Sequence, residues 1–170
     1  MWHFNKINLR RVAFAGGNLP ATSAQNSFFQ LFNNSQGAEY LVVRDWMVNF
    51  SVTGRAFFSI GQSNLAGTSQ TVYPAFSGQV PPPGIFTIGS SATTILSGYV
   101  VDNVANTPIS WVHNYPFCVL SPGWYLTFQL NAADNAGFVS AWWAAALAEE
   151  LFEDELIQAN LALLAQQNQQ

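Results

Sequence analysis

An unbroken alternation of side chains runs through residues 121–131, whose sequence is Ser-Pro-Gly-Trp-Tyr-Leu-Thr-Phe-Gln-Leu-Asn. A period of two is typical of a strand with one face in a core and the other face outside it. The predicted core face carries Trp124, Leu126, Phe128 and Leu130, and the opposite face carries Tyr125, Thr127, Gln129 and Asn131. The stretch therefore predicts a strand. Its outer face is polar but uncharged, and we expect much of that face to meet another protein.

The rest of the chain repeats this pattern between turn signals. Strands are predicted at 39–53, 55–60, 70–76, 85–88, 94–101, 109–115, 117–120 and 138–143, and the first two are expected to form a hairpin at Gly54. Three consecutive prolines at 81–83 lack ladder donors, so they predict a connection between sheets. Short strands at this spacing, without alternating helices, indicate an all-β fold: an antiparallel β-sandwich of jelly-roll-like type.

Both ends of the chain are predicted to lie outside this sandwich, which is assigned to residues 38–143. Residues 1–37 mix aromatic, basic and amide side chains, and Gly16, Gly17 and Pro20 interrupt any long element, so we expect an extended N-terminal arm. Residues 144–170 are rich in Ala, Leu, Glu and Gln, which predicts a C-terminal α-helix and a polar tail. Acidic residues in the first turns of a helix suit its dipole. The broad apolar face of this helix requires a partner.

Charge is scarce in this chain and unevenly placed. Charged residues make up 8% of the sequence, against about 25% in a typical soluble protein. No lysine or arginine follows Arg55, and the acids cluster between Glu149 and Glu155. Asn, Gln, Ser and Thr fill the polar positions instead, and these residues enter tight contacts without the cost of burying a charge. Neighbouring subunits of a homo-oligomer are therefore predicted to cover much of the surface.

Two sets of residues are expected to make those contacts. The first set lies in the arm and consists of Lys6, Arg10, Arg11 and Phe14. The second set is the apolar face of the helix and consists of Leu151, Phe152, Leu156, Ile157, Leu161 and Leu164. We expect the basic arm to lie against an acidic surface of the next subunit, such as the cluster at 149–155. A chain of net charge −4 has little general attraction for phosphate, so nucleic acid is not the expected partner.

Patterns that indicate catalysis, a cofactor or a metal are missing from the sequence. His3 and His113 are far apart, and there is no Gly-x-Ser-x-Gly, phosphate loop, His-Glu-x-x-His or paired Cys-x-x-Cys. The single cysteine, Cys118, is predicted to be a buried structural thiol. An enzyme would need an acid/base group built from Asp102, Asp134 and His113, which their spacing does not indicate. The sequence therefore predicts a protein that is not an enzyme and has no cofactor.

Membranes and sugars are the other ligands that the composition raises. The longest apolar run, residues 141–148, is far shorter than the ~20 residues of a membrane-spanning helix. The first eleven residues lack the apolar block of a secretory signal, so neither a membrane partner nor a signal peptide is expected. Exposed aromatic rings can stack on sugars, and Trp2, Trp111, Trp142 and Tyr125 are candidates. A carbohydrate- or receptor-binding β-sandwich module is therefore the alternative function.

The strand start at Leu120-Ser121-Pro122-Gly123-Trp124-Tyr125-Leu126 carries a family resemblance. It is similar to the L-x-P-G-x-x-L strand start of small β-sandwich virion proteins of tailed bacteriophages, and residues 44–60 resemble the early hairpin of those proteins. The resemblance covers residues 40–145 and leaves the acidic final helix outside it. It implies a structural subunit without catalysis or cofactor, such as a capsid decoration or minor capsid protein docked on the major capsid protein. Such a protein would be made in the host cytoplasm and reside in the virion.

Overall fold

A computed structural model describes residues 11–37, 39–95, 98–111 and 116–151. Within these ranges twelve strands form two antiparallel sheets, and residues 148–151 form a helical turn. The strands are β1 (Val12–Leu19), β2 (Asn26–Phe32), β3 (Glu39–Phe50), β4 (Gly54–Gly61), β5 (Thr68–Ser69), β6 (Tyr73–Pro74), β7 (Ile85–Ser91), β8 (Tyr99–Asn103), β9 (Ile109–Trp111), β10 (Cys118–Leu120), β11 (Tyr125–Ala133) and β12 (Gly137–Leu147). The predicted all-β, antiparallel class is confirmed.

The order of the strands follows a nested pairing scheme. Sheet A has the order β10-β3-β12-β1-β6, with β9 also paired to β3, and sheet B has the order β5-β7-β2-β11-β4-β8. The first strand pairs with the last, β1 with β12, and inside that pair come β2 with β11, β3 with β10, and β4 with β8. Strands β1 to β4 therefore alternate between the two sheets, and each connection among them crosses from one sheet to the other.

The inner faces of the two sheets pack on each other around β11. Leu126, Phe128 and Leu130 are at most 1% exposed, which confirms the predicted core face of this strand. The Phe128 ring lies 5.5 Å from the Phe50 ring of the opposite sheet, measured between centroids. Trp124 was expected on the same face, but it precedes β11 in a turn and is 38% exposed, so that part of the prediction is wrong.

The predicted hairpin at Gly54 is also wrong, because its two strands lie in different sheets. Strand β3 belongs to sheet A and β4 to sheet B, so the turn between them is a crossing between sheets. The long apolar alternation in both strands reflects burial against the shared core, and it carries no information about which strands pair.

A bulge in β3 changes which of its residues enter the core. Asp45 pairs with Trp142 and Val43 with Trp143, which leaves Arg44 as an extra residue. Because one inserted residue shifts the alternation, Val43 faces the core and Val42 faces outward. Alternation along 39–53 predicts that Tyr40, Val42, Trp46, Val48, Phe50 and Val52 share one face, interrupted only at Arg44. That prediction is wrong, because Tyr40 and Val42 lie on the opposite face from the rest of this set.

The described part of the predicted N-terminal arm is not an arm. Residues 12–19 and 26–32 form β1 and β2, and both strands lie inside the sheets. Gly16, read from the sequence as a break, sits within β1 opposite Ser140, where an added Cβ would lie 2.7 Å from the Val139 carbonyl oxygen. This glycine permits a close approach of two strands instead of ending an element.

The start of the predicted C-terminal helix is wrong by four residues. Residues 144–147 continue β12 and pair with β3, from Ala144 opposite Val42 to Leu147 opposite Glu39. Pairing with a neighbouring strand overrides the helical propensity of three alanines. The helical turn begins at 148, and the rest of the predicted helix lies outside the described residues.

The proline-rich segment connects the two sheets, as predicted, since it lies between β6 of sheet A and β7 of sheet B. Its Pro83 carbonyl accepts a hydrogen bond of 3.1 Å from Nε1 of the buried Trp143. Gly84 follows with a φ of 143°, and an added Cβ would lie 2.8 Å from the same Nε1. The segment thereby closes over a core tryptophan with no space for another side chain.

Replacing Gly84 with alanine is expected to destabilise the fold by about 2 kcal/mol, since the change combines an unfavourable φ with a steric clash. The free energy of unfolding in urea measures this effect. Gly61→Ala is the matched control, because nothing lies within 4 Å of its added Cβ. Equal stabilities of the two variants would contradict the packing described for Gly84.

Candidate interaction surface

The centre of the outer face of sheet B is covered by loops of the same chain. Gln30 on β2 is fully buried there, and its amide nitrogen donates to the Ser63 carbonyl at 3.0 Å and to Thr127 Oγ1 at 2.7 Å. Its amide oxygen accepts from the backbone N–H of Leu65 at 2.8 Å. One glutamine thus fixes the loop at 62–67 onto the sheet.

Gln129 on β11 fixes a second loop in the same way. Its amide oxygen accepts from the N–H of Ile95, and its amide nitrogen donates to the Thr93 carbonyl, both at 2.8 Å. Gln129 is fully buried, and its neighbour Thr127 is 5% exposed. The expectation that the polar face of this strand meets another protein is therefore wrong at its centre, where the chain's own loops cover it.

Replacing Gln129 with leucine is expected to lower the unfolding free energy by about 2–4 kcal/mol, because Ile95 N–H and the Thr93 carbonyl would lose their partner. Hydrogen exchange at Ile95 should accelerate at the same time. Gln70→Leu is the control, since that amide makes an exposed hydrogen bond to the Thr68 carbonyl, and it should cost less than about 1 kcal/mol. Similar losses in the two variants would contradict the role given to Gln129.

The outer face of sheet A is covered at one end by the helical turn. Leu151 is 9% exposed and packs on Val42 and Ala146, with Tyr40 and Val119 partly buried beside them. The backbone N–H of Leu147 donates to Glu150 Oε2 at 2.7 Å, which holds the turn at the end of β12. The chain has therefore folded back over this end of the sheet.

The remainder of that outer face is open and aromatic. Tyr73, Phe14 and Trp142 are register partners on β6, β1 and β12, with ring centroids 5.5 Å and 4.7 Å apart. Tyr73 is 52% exposed and Trp142 40% exposed. Beyond them lie Met47, 38% exposed, and Phe138, 40% exposed. We call this surface the bare face, and it comprises Phe14, Gly16, Asn18, Asp45, Met47, Asn49, Tyr73, Ser110, Phe138, Ser140 and Trp142.

Charge is nearly missing from the bare face. Of its eleven members as defined above, Asp45 carries the charge, and Arg44 lies beside it at the bulge. Apolar rings, a methionine and uncharged amides and hydroxyls make up the rest. This composition is typical of the buried centre of a protein–protein interface, where aromatic residues and Met are enriched and most charged residues are depleted.

The rings of the bare face present their edges rather than their planes. The distances between their centroids match the spacing of neighbouring strands, and the ring planes differ by 24° and 26°. Phe14 therefore has a ring on each side. Trp142, a candidate for sugar stacking, has one ring face occupied by Phe14. Tyr125, another candidate, stacks on Phe32 with centroids 4.3 Å apart.

The expected interface residues are distributed between several locations. Phe14 belongs to the bare face, whereas Leu151 packs against its own chain. Arg11 Nη1 pairs with Glu39 of its own chain at 2.5 Å. Arg11 therefore has an acidic partner without the expected contact with an acidic surface of the next subunit. Both side chains are partly exposed, and such a pair contributes at most about 1 kcal/mol. The predicted residues outside the described ranges are Lys6, Arg10, Phe152, Leu156, Ile157, Leu161 and Leu164.

Tyr73, Met47 and Phe138 are members of the bare face that the sequence did not single out. Each is one apolar residue on a different strand, and only the strand order of sheet A brings them together. The alternation around Phe138 placed it in a strand, but nothing local indicates its neighbours.

An apolar groove of about 400 Å³ opens between the sheets near β8 and β10. Its lining consists of Phe58, Ile60, Gly98, Tyr99, Trp111, Phe117, Cys118 and Leu126. Trp111, a third candidate for sugar stacking, thus lies in a groove whose walls offer few polar atoms for sugar hydroxyls.

The side chain of Cys118 packs against the core, next to this groove. The residue as a whole is partly exposed, but burial raises the pKa of the thiol to about 12. The thiol therefore stays protonated at neutral pH and is a poor nucleophile.

The pKa of Cys118 predicts a loss of stability at high pH. Between the ordinary value of 9.0 and the folded value of about 12, the unfolded chain releases the thiol proton while the folded chain keeps it. The unfolding free energy should therefore fall as pH rises through this window. In urea titrations at several pH values, Cys118→Ala should show a shallower decline than the wild type. Parallel declines would contradict this, because tyrosine titration is common to both proteins.

The residues considered for catalysis do not converge in the described part of the chain. Asp102 makes an exposed ion pair with Arg55 at 3.3 Å, and Asp134 lies in a turn with a φ of 57°. His3 and His113 fall outside the described residues. Within 11–37, 39–95, 98–111 and 116–151, no three His, Cys, Asp or Glu side chains are placed to hold a metal ion. None of the described helical residues forms a span long and apolar enough to cross a membrane.

No family model, curated protein or solved structure matches this chain.

Proposed function

We propose that this protein is a non-enzymatic structural component of a bacteriophage particle, a capsid decoration or minor capsid protein that assembles as a homo-oligomer on the shell. Its partners would be other copies of itself and the major capsid protein, and its location would be the virion. The bare face carries this proposal. It is a nearly uncharged, aromatic surface on a two-sheet fold, and a protein that acts through contacts with its neighbours needs such a surface.

The nested strand pairing supports the proposal at the level of architecture. A ribbon whose first and last strands pair, and whose inner strands pair in turn, rolls into two facing sheets. We infer that this is the jelly-roll arrangement, with β1, β12, β3 and β10 in one sheet and β2, β11, β4 and β8 in the other. Jelly rolls occur in viral capsid proteins, but also in lectins and cupins, so the fold by itself favours no single one of these functions.

The scarcity of charge supports the proposal independently. A protein that diffuses freely keeps a mixed, charged surface that resists association. Here charged residues make up 8% of the chain, and two of those that the structure describes, Arg11 and Glu39, are paired with each other. A surface of amides and hydroxyls is suited to permanent contact with neighbours.

A carbohydrate- or receptor-binding module of a phage tail is the rival proposal. It would rely on Trp111 and Tyr99, which line the apolar groove. Sugar recognition combines stacking with several hydrogen bonds to hydroxyl groups, and the lining of the groove is poor in such partners. The virion structural proposal is therefore the better supported of the two.

The location of the protein tests the proposal. Virus particles purified from the source of the gene, on a density gradient, should contain this chain in many copies per particle, as measured by quantitative mass spectrometry and by immunogold labelling of intact shells. The purified chain should also bind shells from which it has been stripped. Absence from the particles would contradict the proposal. Binding to a glycan array that is lost in Trp111→Ala would favour the rival.

A further inference from the structure

The relief of the bare face repeats along β1 and β12. The paired rings of Phe14 and Trp142 form a ridge, and the next outward pair along the strands is small, Gly16 with Ser140. One more step brings Phe138, which is 40% exposed and rises again beside Asn18. Successive outward residues on a strand are about 6.8 Å apart. Along β1 and β12 the surface is therefore a ridge, a trough and a second ridge within two such steps, and Met47 on β3 borders the trough beside Ser140.

The bare faces of two copies can fit each other, because each face has both ridges and a trough. If a second copy is turned by a twofold axis and laid on the first, a ridge of each copy can enter the trough of the other. Facing sheets pack about 10 Å apart with interdigitated side chains, which is the distance that ridges and troughs of this kind require. An isologous contact of this type uses the same patch on both subunits.

The chemistry of the bare face also favours a second copy of this chain as the partner. A partner that carried charge at the centre would have to desolvate it against rings, without an opposite charge to receive it. The same face of another copy offers rings, a methionine and neutral polar groups, and Asp45 lies at the margin on β3, away from the trough.

We infer that the bare face of sheet A binds the bare face of a second copy of this chain, in a twofold contact whose axis lies between the trough at Gly16 and Ser140 and a neighbouring ridge. The inference rests on the proposed function, since it specifies the surface through which the homo-oligomer forms. The face spans about 14 Å by 19 Å, from two steps of ~6.8 Å along the strands and four strand spacings of ~4.8 Å. A contact of that size belongs to the weak, reversible class of interfaces.

Sedimentation velocity of the full chain tests the inference. The wild type should show a monomer–dimer equilibrium that depends on concentration. Ser140→Glu places a charge in the trough, where the side chain is directed outward, and should weaken dimerisation at least about 100-fold, because the charge would be buried without a partner. Ser69→Glu makes the same change at an exposed position on β5 of sheet B and should leave the dimer unchanged.

A second variant covers the case in which Ser140→Glu fails to fold. Phe138→Ser removes an exposed ring from the second ridge and should weaken the dimer in the same direction, with a circular dichroism spectrum like that of the wild type. A wild type that stays monomeric at every concentration would overturn the inference. So would folded Ser140→Glu and Phe138→Ser proteins that dimerise as the wild type does.

The outcomes separate this inference from the proposed function. A monomeric wild type that binds stripped shells, and loses that binding in Ser140→Glu, would show that the bare face meets the shell; the second-copy inference would then fail while the proposed function stands. A dimer that depends on Ser140, in a protein absent from purified particles, would support the second-copy inference and contradict the proposed function.

Discussion

The pairing of β1 with β12 is the interaction on which the remainder of the fold depends. It joins eight register pairs, from Val12 opposite Ala144 to Leu19 opposite Gly137. All the other pairings that define the two sheets lie inside this one along the chain, so sheet A is complete only when the first and last described strands have met. Contacts of such long sequence separation cost loop-closure entropy, and folds dominated by them form slowly.

Buried amides hold the ends and one face of this sandwich together. Gln30 and Gln129 bind loops to sheet B, and Asn33 is fully buried with its side chain donating to the Glu39 and Leu120 carbonyls at 3.0 Å and 2.9 Å. The amides that are abundant in the sequence therefore hold parts of the same chain together, in addition to the contacts with neighbouring proteins for which they are suited. Gln30 and Gln129 satisfy backbone groups in loops, and Asn33 satisfies carbonyls at the ends of β3 and β10, all at no cost for burying a charge.

The sequence was most informative where a residue's environment follows from alternation alone. The core positions Leu126, Phe128 and Leu130 of β11 were predicted correctly for that reason, and the proline segment was predicted correctly because prolines lack ladder donors. Three features could not be read locally: the bulge at Arg44, the strand pairing that includes Gly16, and the loops that cover Gln129. Alternation shows that a side chain faces away from the core, but not what covers it.

The candidate surface was predicted only in part for the same reason. Phe14 was expected in an interface, and Trp142 was noted as an exposed ring, but the sequence assigned them to unrelated segments. The pairing of β1 with β12 makes them neighbours, with ring centroids 4.7 Å apart. The other members of the bare face come from β1 and β12 themselves and from β3, β6 and β9, so the surface exists only as a product of strand order.

The start of β1 and the end of β12 lie side by side, and the N–H of Ala145 donates to the Arg11 carbonyl at 3.2 Å. Arg11 and the end of β12 therefore lie about one strand spacing apart, at the same end of sheet A. The two ends of the sandwich are thus unlike each other, since one end carries both the start of β1 and the end of β12. A label attached at Arg11 and a label attached at Leu147 would report on the same end of the molecule.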